Sequence, residues 1–110
     1  MQDLFPYYRS MADRKRLWIV QYLAQHDGVS VSELGKQLHL SQPLVSWHLS
    51  LLRKAGIVQT RKEGRQVFCS LDRSALTAYE QRLQALLEPS SSAGEANDET
   101  GRLTLGRAGN

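Results

Sequence analysis

The sequence predicts a mainly α-helical chain with one small β-hairpin, an α+β domain in the order α-α-α-α-β-β-α. Three observations predict it. Apolar residues recur at helical spacing in several segments. Residues suited to helix capping stand ahead of them, at Asp13, Ser30, Ser41 and Asp72. Two strand-like runs, IVQT (57–60) and QVFCSL (66–71), flank a loop in which Gly64 supplies the positive φ of a tight hairpin.

The 110 residues are one domain's worth. Residues 1–88 hold nearly all the aliphatic and aromatic side chains, whereas from Pro89 onward Leu103 and Leu105 are the only large apolar residues. Such a segment buries too little surface to offset its ordering entropy, so 1–88 is the expected folded domain and 89–110 an expected disordered tail. A domain this small buries only roughly 60–65% of its unfolded surface, which favours further burial in a dimer. The formal net charge is +3, and the basic excess lies in 1–88, with 12 Lys and Arg against 8 Asp and Glu. That excess points to nucleic acid only where it is concentrated on one surface. Cys69 is the only cysteine, which excludes an intrachain disulfide framework and fits a reducing cytosol. No stretch approaches the roughly 18–20 apolar residues of a membrane span, and MQDLFPYYRS has no leader-like pattern, so the expected location is cytoplasmic with no membrane partner.

Residues 4–11 form a brief apolar and aromatic helix. The next helix is expected over 13–27, capped by Asp13 and ended by Gly28 in a left-handed conformation. Leu17, Val20, Leu23 and Ala24 form its stripe, widened by Trp18, Ile19 and Tyr22. Ser30 and Glu33 have the spacing of a capping box, so a short helix opens near Val31 with Val31, Leu34 and Leu38 inward. A break at His39-Leu40-Ser41 precedes a helix over 42–55, with Ser41 as its cap and Pro43 in its first turn. Val45, Leu49 and Leu52 form its core stripe, helped by Leu44 and Leu51; Arg53 and Lys54 suit the helix dipole, and Gly56 ends it. After the hairpin, Asp72 caps a last helix over 73–88, where Leu76, Tyr79, Leu83 and Leu86 form a seam beside Leu87.

The segments 31–39 and 42–55, joined by a short break, make a helix-turn-helix. The second helix is ~21 Å long. Its outer face carries Ser41, Gln42, Ser46, Trp47 and Ser50, mostly short polar side chains, and suits a major groove about 12 Å wide. Hydroxyls and first-turn amides reach phosphates, the Gln42 amide matches an adenine edge, and Trp47 packs against a thymine methyl or a sugar. The competing reading is an ordinary surface helix of a bundle. The hairpin counts against it, because Arg61, Lys62 and Arg65 cluster at the tip with Glu63 as the single acid. A basic hairpin after such a helix is a wing that reaches the backbone and the neighbouring minor groove. With Pro43 and His48 included, the expected DNA contacts are Ser41, Gln42, Pro43, Ser46, Trp47, His48, Ser50, Arg61, Lys62 and Arg65. No nucleophile–base pair, phosphate-binding glycine loop or carboxylate pair is visible, so the chain is not expected to be an enzyme.

These residues carry a family resemblance. The opening Ala12-Asp13…Arg16-Leu17, then Glu33-Leu34, then Ser41-Gln42-Pro43…Val45-Ser46…His48-Leu49…Leu52-Arg53…Ala55-Gly56, and the wing Arg61…Gly64-Arg65 resemble the core of ArsR/SmtB-type winged helix-turn-helix repressors. The resemblance covers about 12–88. It implies a dimer formed by the first and last helices and repression of a promoter that a signal releases. The apolar surfaces agree: Phe5, Tyr7 and Tyr8 at one end, and Leu76, Tyr79, Leu83, Leu86 and Leu87 at the other, are buried if paired across a two-fold axis. Two recognition helices then lie ~34 Å apart, on an inverted repeat.

Many such repressors sense metals through thiolates at the start of the first helix of the helix-turn-helix, where this chain has Ser30 and Ser32. Others use the last helix, starting from Asp-x-His; here the stretch reads Asp72-Arg73-Ser74, and that helix has no histidine. Serine is no ligand for a soft metal, so no cofactor is evident. His26, His39 and His48 leave nickel or another nitrogen- and oxygen-ligated metal, held across a dimer, as the alternative to plain surface histidines. Cys69 reads as a small buried thiol, with a redox sensor as the alternative. The expected partners are double-stranded DNA and a second copy of the chain. The alternatives are a protein-interaction module and a regulator controlled by a companion protein.

Overall fold

The computed structural model describes residues 3–89, so residues 90–110 of the expected tail lie outside the described residues. The elements are α1 (Phe5–Met11), α2 (Arg14–Gln25), β1 (Val29–Ser30), α3 (Val31–Leu38), α4 (Gln42–Lys54), β2 (Val58–Glu63), β3 (Gln66–Leu71) and α5 (Arg73–Leu87). One compact unit ends at Tyr79 and a second begins at Glu80.

The caps set the helix starts. Asp13 accepts hydrogen bonds from the amides of Lys15 (2.8 Å) and Arg16 (3.1 Å), and Asp72 accepts from the Ala75 amide (3.1 Å) and the Ser74 hydroxyl (2.7 Å). Ser30 forms half of the expected capping box, accepting from the Glu33 amide at 3.0 Å. The Glu33 carboxylate turns away and accepts from the Tyr22 hydroxyl (3.2 Å) and the Gln37 amide (3.0 Å). Ser41 stands at the N-cap of α4 without a side-chain cap bond. Pro43 occupies the second helical position and has no N–H to offer it.

Helix α2 ends at Gln25, earlier than expected, with an extended His26 as its C-cap; Gly28 (φ +69°) serves the turn into β1 instead. Its buried stripe also differs from the expected one. Arg16, Ile19 and Leu23 are buried, whereas Leu17 is 47% exposed. The first turn is fixed by Asp13, and from there every third or fourth residue falls on 16, 19 and 23. Trp18, Tyr22 and His26 form a stacked row beside that stripe, with ring centroids 4.8 and 4.1 Å apart.

The sheet has a third strand that the sequence reading missed. β1 is two residues long and pairs antiparallel with β3, Val29 opposite Cys69 and Ser30 opposite Phe68. A two-residue strand is too short to show alternation. β3 is central, between β1 and β2. β2 also runs further than expected, because Arg61 pairs with Phe68, Lys62 with Val67 and Glu63 with Gln66. Only Gly64 and Arg65 remain as the turn. Gly64 has φ +61° and Arg65 a negative φ, the pattern of a II′ hairpin turn.

The core joins Ile19 and Leu23 of α2, Leu34 of α3, Val45, Leu49 and Leu52 of α4, and Ile57, Val58 and Cys69 at the sheet. Gly35 lies where α3 and the turn meet, with a built Cβ 3.2 Å from the Leu40 carbonyl oxygen and 3.7 Å from Val45 Cγ2. A methyl there presses on the backbone of the turn between α3 and α4, while its contact to α4 is an ordinary one.

Two outcomes follow. Burial alone raises the Asp13 carboxyl pKa, but the Arg16 amide and guanidinium, the Lys15 amide and His48 together outweigh it and hold the group below its ordinary value. Its stabilisation is therefore complete above the ordinary aspartate range and disappears as pH falls through the folded value. Asp13→Ala is expected to cost about 1 kcal/mol at neutral pH. Asp13→Asn should keep most of that, and urea unfolding at falling pH should show the wild-type advantage over Ala shrinking in acid. Cys69 is fully buried and burial pushes its thiol up to about 11. A thiol reagent at mildly alkaline pH should leave the native chain unlabelled and modify it after unfolding.

Candidate nucleic-acid interface

Helix α4 presents two faces. Val45, His48, Leu49 and Leu52 are buried, at spacings of three, one and three residues. Gln42, Pro43, Ser46, Trp47 and Arg53 are exposed, with Ser41 just ahead of them. Leu44, expected to help the core, is 49% exposed. It precedes the buried stripe by one residue and projects about 100° from Val45. Ser50 is half-buried and its hydroxyl donates to the Trp47 carbonyl at 2.7 Å, so it is bonded back into its own helix and is no free donor on the outer face.

His48 is the main correction. It was expected at the DNA surface, yet it is 6% exposed. It lies three residues after Val45 and four before Leu52, on the inward stripe. Its Nδ1 is 3.0 Å from Nη1 of Arg16, which is also 6% exposed. A guanidinium only donates, so Nδ1 accepts and the imidazole is the neutral Nε2–H tautomer. Burial lowers the His48 pKa, with Arg16 and Lys15 adding to the effect and Asp13 opposing it. The same guanidinium donates through Nε to the Ser10 carbonyl (2.7 Å) and through Nη2 to the Arg9 carbonyl (3.5 Å). Asp13 Oδ2 stands 3.9 Å from Nη1. Its carbon lies 5.5 Å from the centre of the Trp47 ring, and the Trp47 and His48 rings meet edge-on at 4.9 Å. Arg16 entered the sequence reading only as part of the family opening. Its position three residues before Ile19, on the stripe continued backward, was the signal that it is buried.

On the wing, Arg61 is tied down. Its Nε donates to Glu63 at 2.7 Å and its guanidinium lies 5.5 Å from the centre of the Phe68 ring. Lys62 and Arg65 are exposed and, among the described residues, in no ion pair. A cleft of about 220 Å³ lies between α4 and the wing. It brings together Gln42, Ser46 and Arg53 of α4, Arg65 and Gln66 of the wing, and Ser32 of α3. Arg53, Gln66 and Ser32 were not among the expected contacts. Arg53 follows Ser46 by seven residues, which places it on the same helical face.

The residues expected at a subunit contact divide. Phe5, Tyr8, Leu86 and Leu87 are exposed, at 64%, 42%, 54% and 67%. Tyr7 is buried and stacks on Tyr79 at 4.3 Å, so both rings serve their own core, and the Tyr79 hydroxyl donates to the Ala55 carbonyl. Leu76 is partly buried against that core, and Leu83 is half-buried.

The positions where relatives hold metals do not fit one here. Ser30 caps α3, and Asp72 caps α5 while accepting from Gln59 at 3.0 Å. Among the described residues no three His, Cys, Asp or Glu side chains group to hold an ion. His26 donates through Nδ1 to the Tyr22 carbonyl, His39 closes α3 in the left-handed region at φ +57°, and His48 is held by Arg16.

Residues 13–60 match the family described as "Bacterial regulatory protein, arsR family". The chain is 40% identical over 78 residues to the "Transcriptional activator HlyU" of Vibrio cholerae, covering 71% of each. It is 40% identical over 60 residues to the "Arsenical resistance operon repressor" of Escherichia coli, covering 54% of this chain and 51% of that one. Its fold matches the solved structure of HlyU from Vibrio cholerae N16961 at a TM-score of 0.61 and 37% identity, covering 76% of this chain and 89% of that one. The chain therefore belongs to the arsR family of bacterial regulatory proteins, winged helix-turn-helix DNA-binding regulators of transcription that are not enzymes.

Proposed function

We propose that the chain binds double-stranded DNA at an inverted repeat as a homodimer and represses a nearby promoter until a signal releases it. The cleft between α4 and the wing carries this reading. It sets an adenine-matching amide (Gln42), hydroxyls (Ser46, Ser32) and two cations (Arg53, Arg65) around one space. These are the groups that a base edge and its flanking phosphates require. Ser41, Pro43 and Trp47 extend the contact along α4, and Lys62 and Arg65 carry it onto the backbone, with Arg61 paired to Glu63 beside them. His48 and Ser50 drop out of the contact set.

The dimer rests on Phe5 and Tyr8 of α1 and on Leu86 and Leu87 of α5, large apolar side chains left in water within one chain. An isologous contact removes both sets from solvent. Among the described residues no helix is long and apolar enough to cross a membrane, and a regulator of bacterial promoters works in the cytoplasm. The relatives' names include an activator and a repressor. Repression is the reading here, and a reporter whose output rises when the gene is deleted supports it. No observation favours the companion-protein alternative, and the family assignment removes the case for a bare interaction module.

Two binding measurements separate the roles. About eight phosphates neutralised per dimer give a log–log salt slope of ~−7. Arg65→Ala should weaken binding to every duplex and flatten that slope; unchanged affinity removes the wing from the interface. Gln42→Ala should cost ~1–3 kcal/mol at one base position. Equal losses on all sequences would show that Gln42 touches only the backbone.

A further inference from the structure

Arg16 and His48 are both charge-bearing residue types, both 6% exposed, and neither reaches the surface where DNA would lie. They nevertheless sit directly beneath the exposed Trp47. The guanidinium lies 5.5 Å from the centre of the Trp47 ring, and the imidazole meets the ring edge at 4.9 Å. The Trp47 side chain is nevertheless 54% exposed. The same guanidinium is anchored to α1 through the Ser10 carbonyl at 2.7 Å. One planar cation thus joins the end of α1, the first turn of α2 and the middle of the recognition helix. We propose that Arg16 is a positioning residue for DNA binding, acting through neutral His48 and Trp47, and that protonation of His48 releases α4 from its binding pose. The inference rests on the reading of α4 as the DNA-contacting helix.

The chemistry follows from hydrogen-bond polarity. His48 accepts at Nδ1 from Nη1 at 3.0 Å. A proton on Nδ1 turns the acceptor into a donor and places two cations face to face in a buried site. Among the described residues Asp13 is the one acid acting on His48. Its Oδ1 receives the Lys15 and Arg16 amides and its Oδ2 stands 3.9 Å from Nη1, so it acts on the second charge through space and not by a direct hydrogen bond to the imidazole. Lys15 adds repulsion from the same turn of α2. From α1, the carbonyls of Arg9 and Ser10 accept from the guanidinium. α3 and β2 bring no charged group to bear on His48 among the described residues. One of the two cationic groups must therefore move, and either movement changes the contacts that Trp47 makes with them. Lysine cannot substitute for Arg16, because an ammonium has no planar fork to bridge Ser10 and His48 while lying under an indole.

The test is the shape of a pH profile. The probe is a duplex that the wild-type protein has itself retained from genomic DNA, followed by fluorescence anisotropy. Wild-type affinity should fall as pH is lowered below the ordinary histidine value, approaching a loss of about tenfold once pH lies below both the free and the bound value of a histidine that binding shifts by about one unit. His48→Asn keeps an acceptor where Nδ1 lies and cannot titrate, so its profile should be flat to within about twofold, whatever its absolute affinity. Parallel profiles overturn the inference while leaving the DNA reading intact. Failure of the wild type to retain any duplex overturns both. A measurement without DNA guards against a misfolded variant: in a Trp18→Phe background, Trp47 emission should titrate over the same pH range. An emission that stays constant across that range overturns the inference.

Discussion

The buried Arg16 guanidinium is the contact through which the parts of this domain hold one another in place. A guanidinium removed from water is tolerated only when its donors are satisfied, and here the donors are spent on Ser10, Arg9 and His48. Those acceptors belong to α1 and α4, while the charge itself rides on α2. The orientation of α4 about its own axis is thus coupled to the N-terminal turn of α2, where Asp13 caps the helix and also faces the guanidinium. Apolar packing through Val45, Leu49 and Leu52 holds α4 on the body. The polar link at His48 ties α4 to the guanidinium that also lies beside Trp47.

The sheet does the corresponding work for the wing. β3 is paired on both sides, with Cys69 opposite Val29 of β1 and Thr60 of β2. The central strand is anchored at the base of α3 by β1, and the hairpin extends from that anchor toward the turn at Gly64. Because β2 stays paired as far as Glu63, Arg61 and Lys62 sit on a stiff ribbon, on alternate faces, instead of on a loose loop. Arg61 is partly neutralised by Glu63 and lies by Phe68, which leaves Lys62 and Arg65 as the charges presented outward. The wing and α4 then converge on one cleft, and neither element forms that cleft alone.

Family membership explains the architecture without supplying the signal. At the positions where metal-sensing relatives place their ligands, this chain has helix caps: Ser30 holds α3 and Asp72 holds α5. Each cap satisfies amides that a helix start otherwise leaves unpaired. Ser30 and Asp72 thus serve the starts of α3 and α5 in this chain.

Local chemistry in the sequence determined where the helices begin, which residues punctuate them, and that a basic hairpin follows a helix pair. Asp13, Asp72, Gly56 and Gly64 act on their own neighbours, so their effects are readable residue by residue. The inward set of α3 and the Val45–Leu49–Leu52 stripe of α4 were legible for the same reason, since helical period alone assigns them. Only the tertiary structure decided the rest. It turned α2 so that Arg16 replaced Leu17 on the buried face, drew His48 inside, gave Tyr7 to Tyr79 and paired two residues as β1. These depend on partners many positions distant, and a buried cation or imidazole becomes favourable only once such partners stand within hydrogen-bond reach. Periodicity in a sequence carries no information about which partners those are.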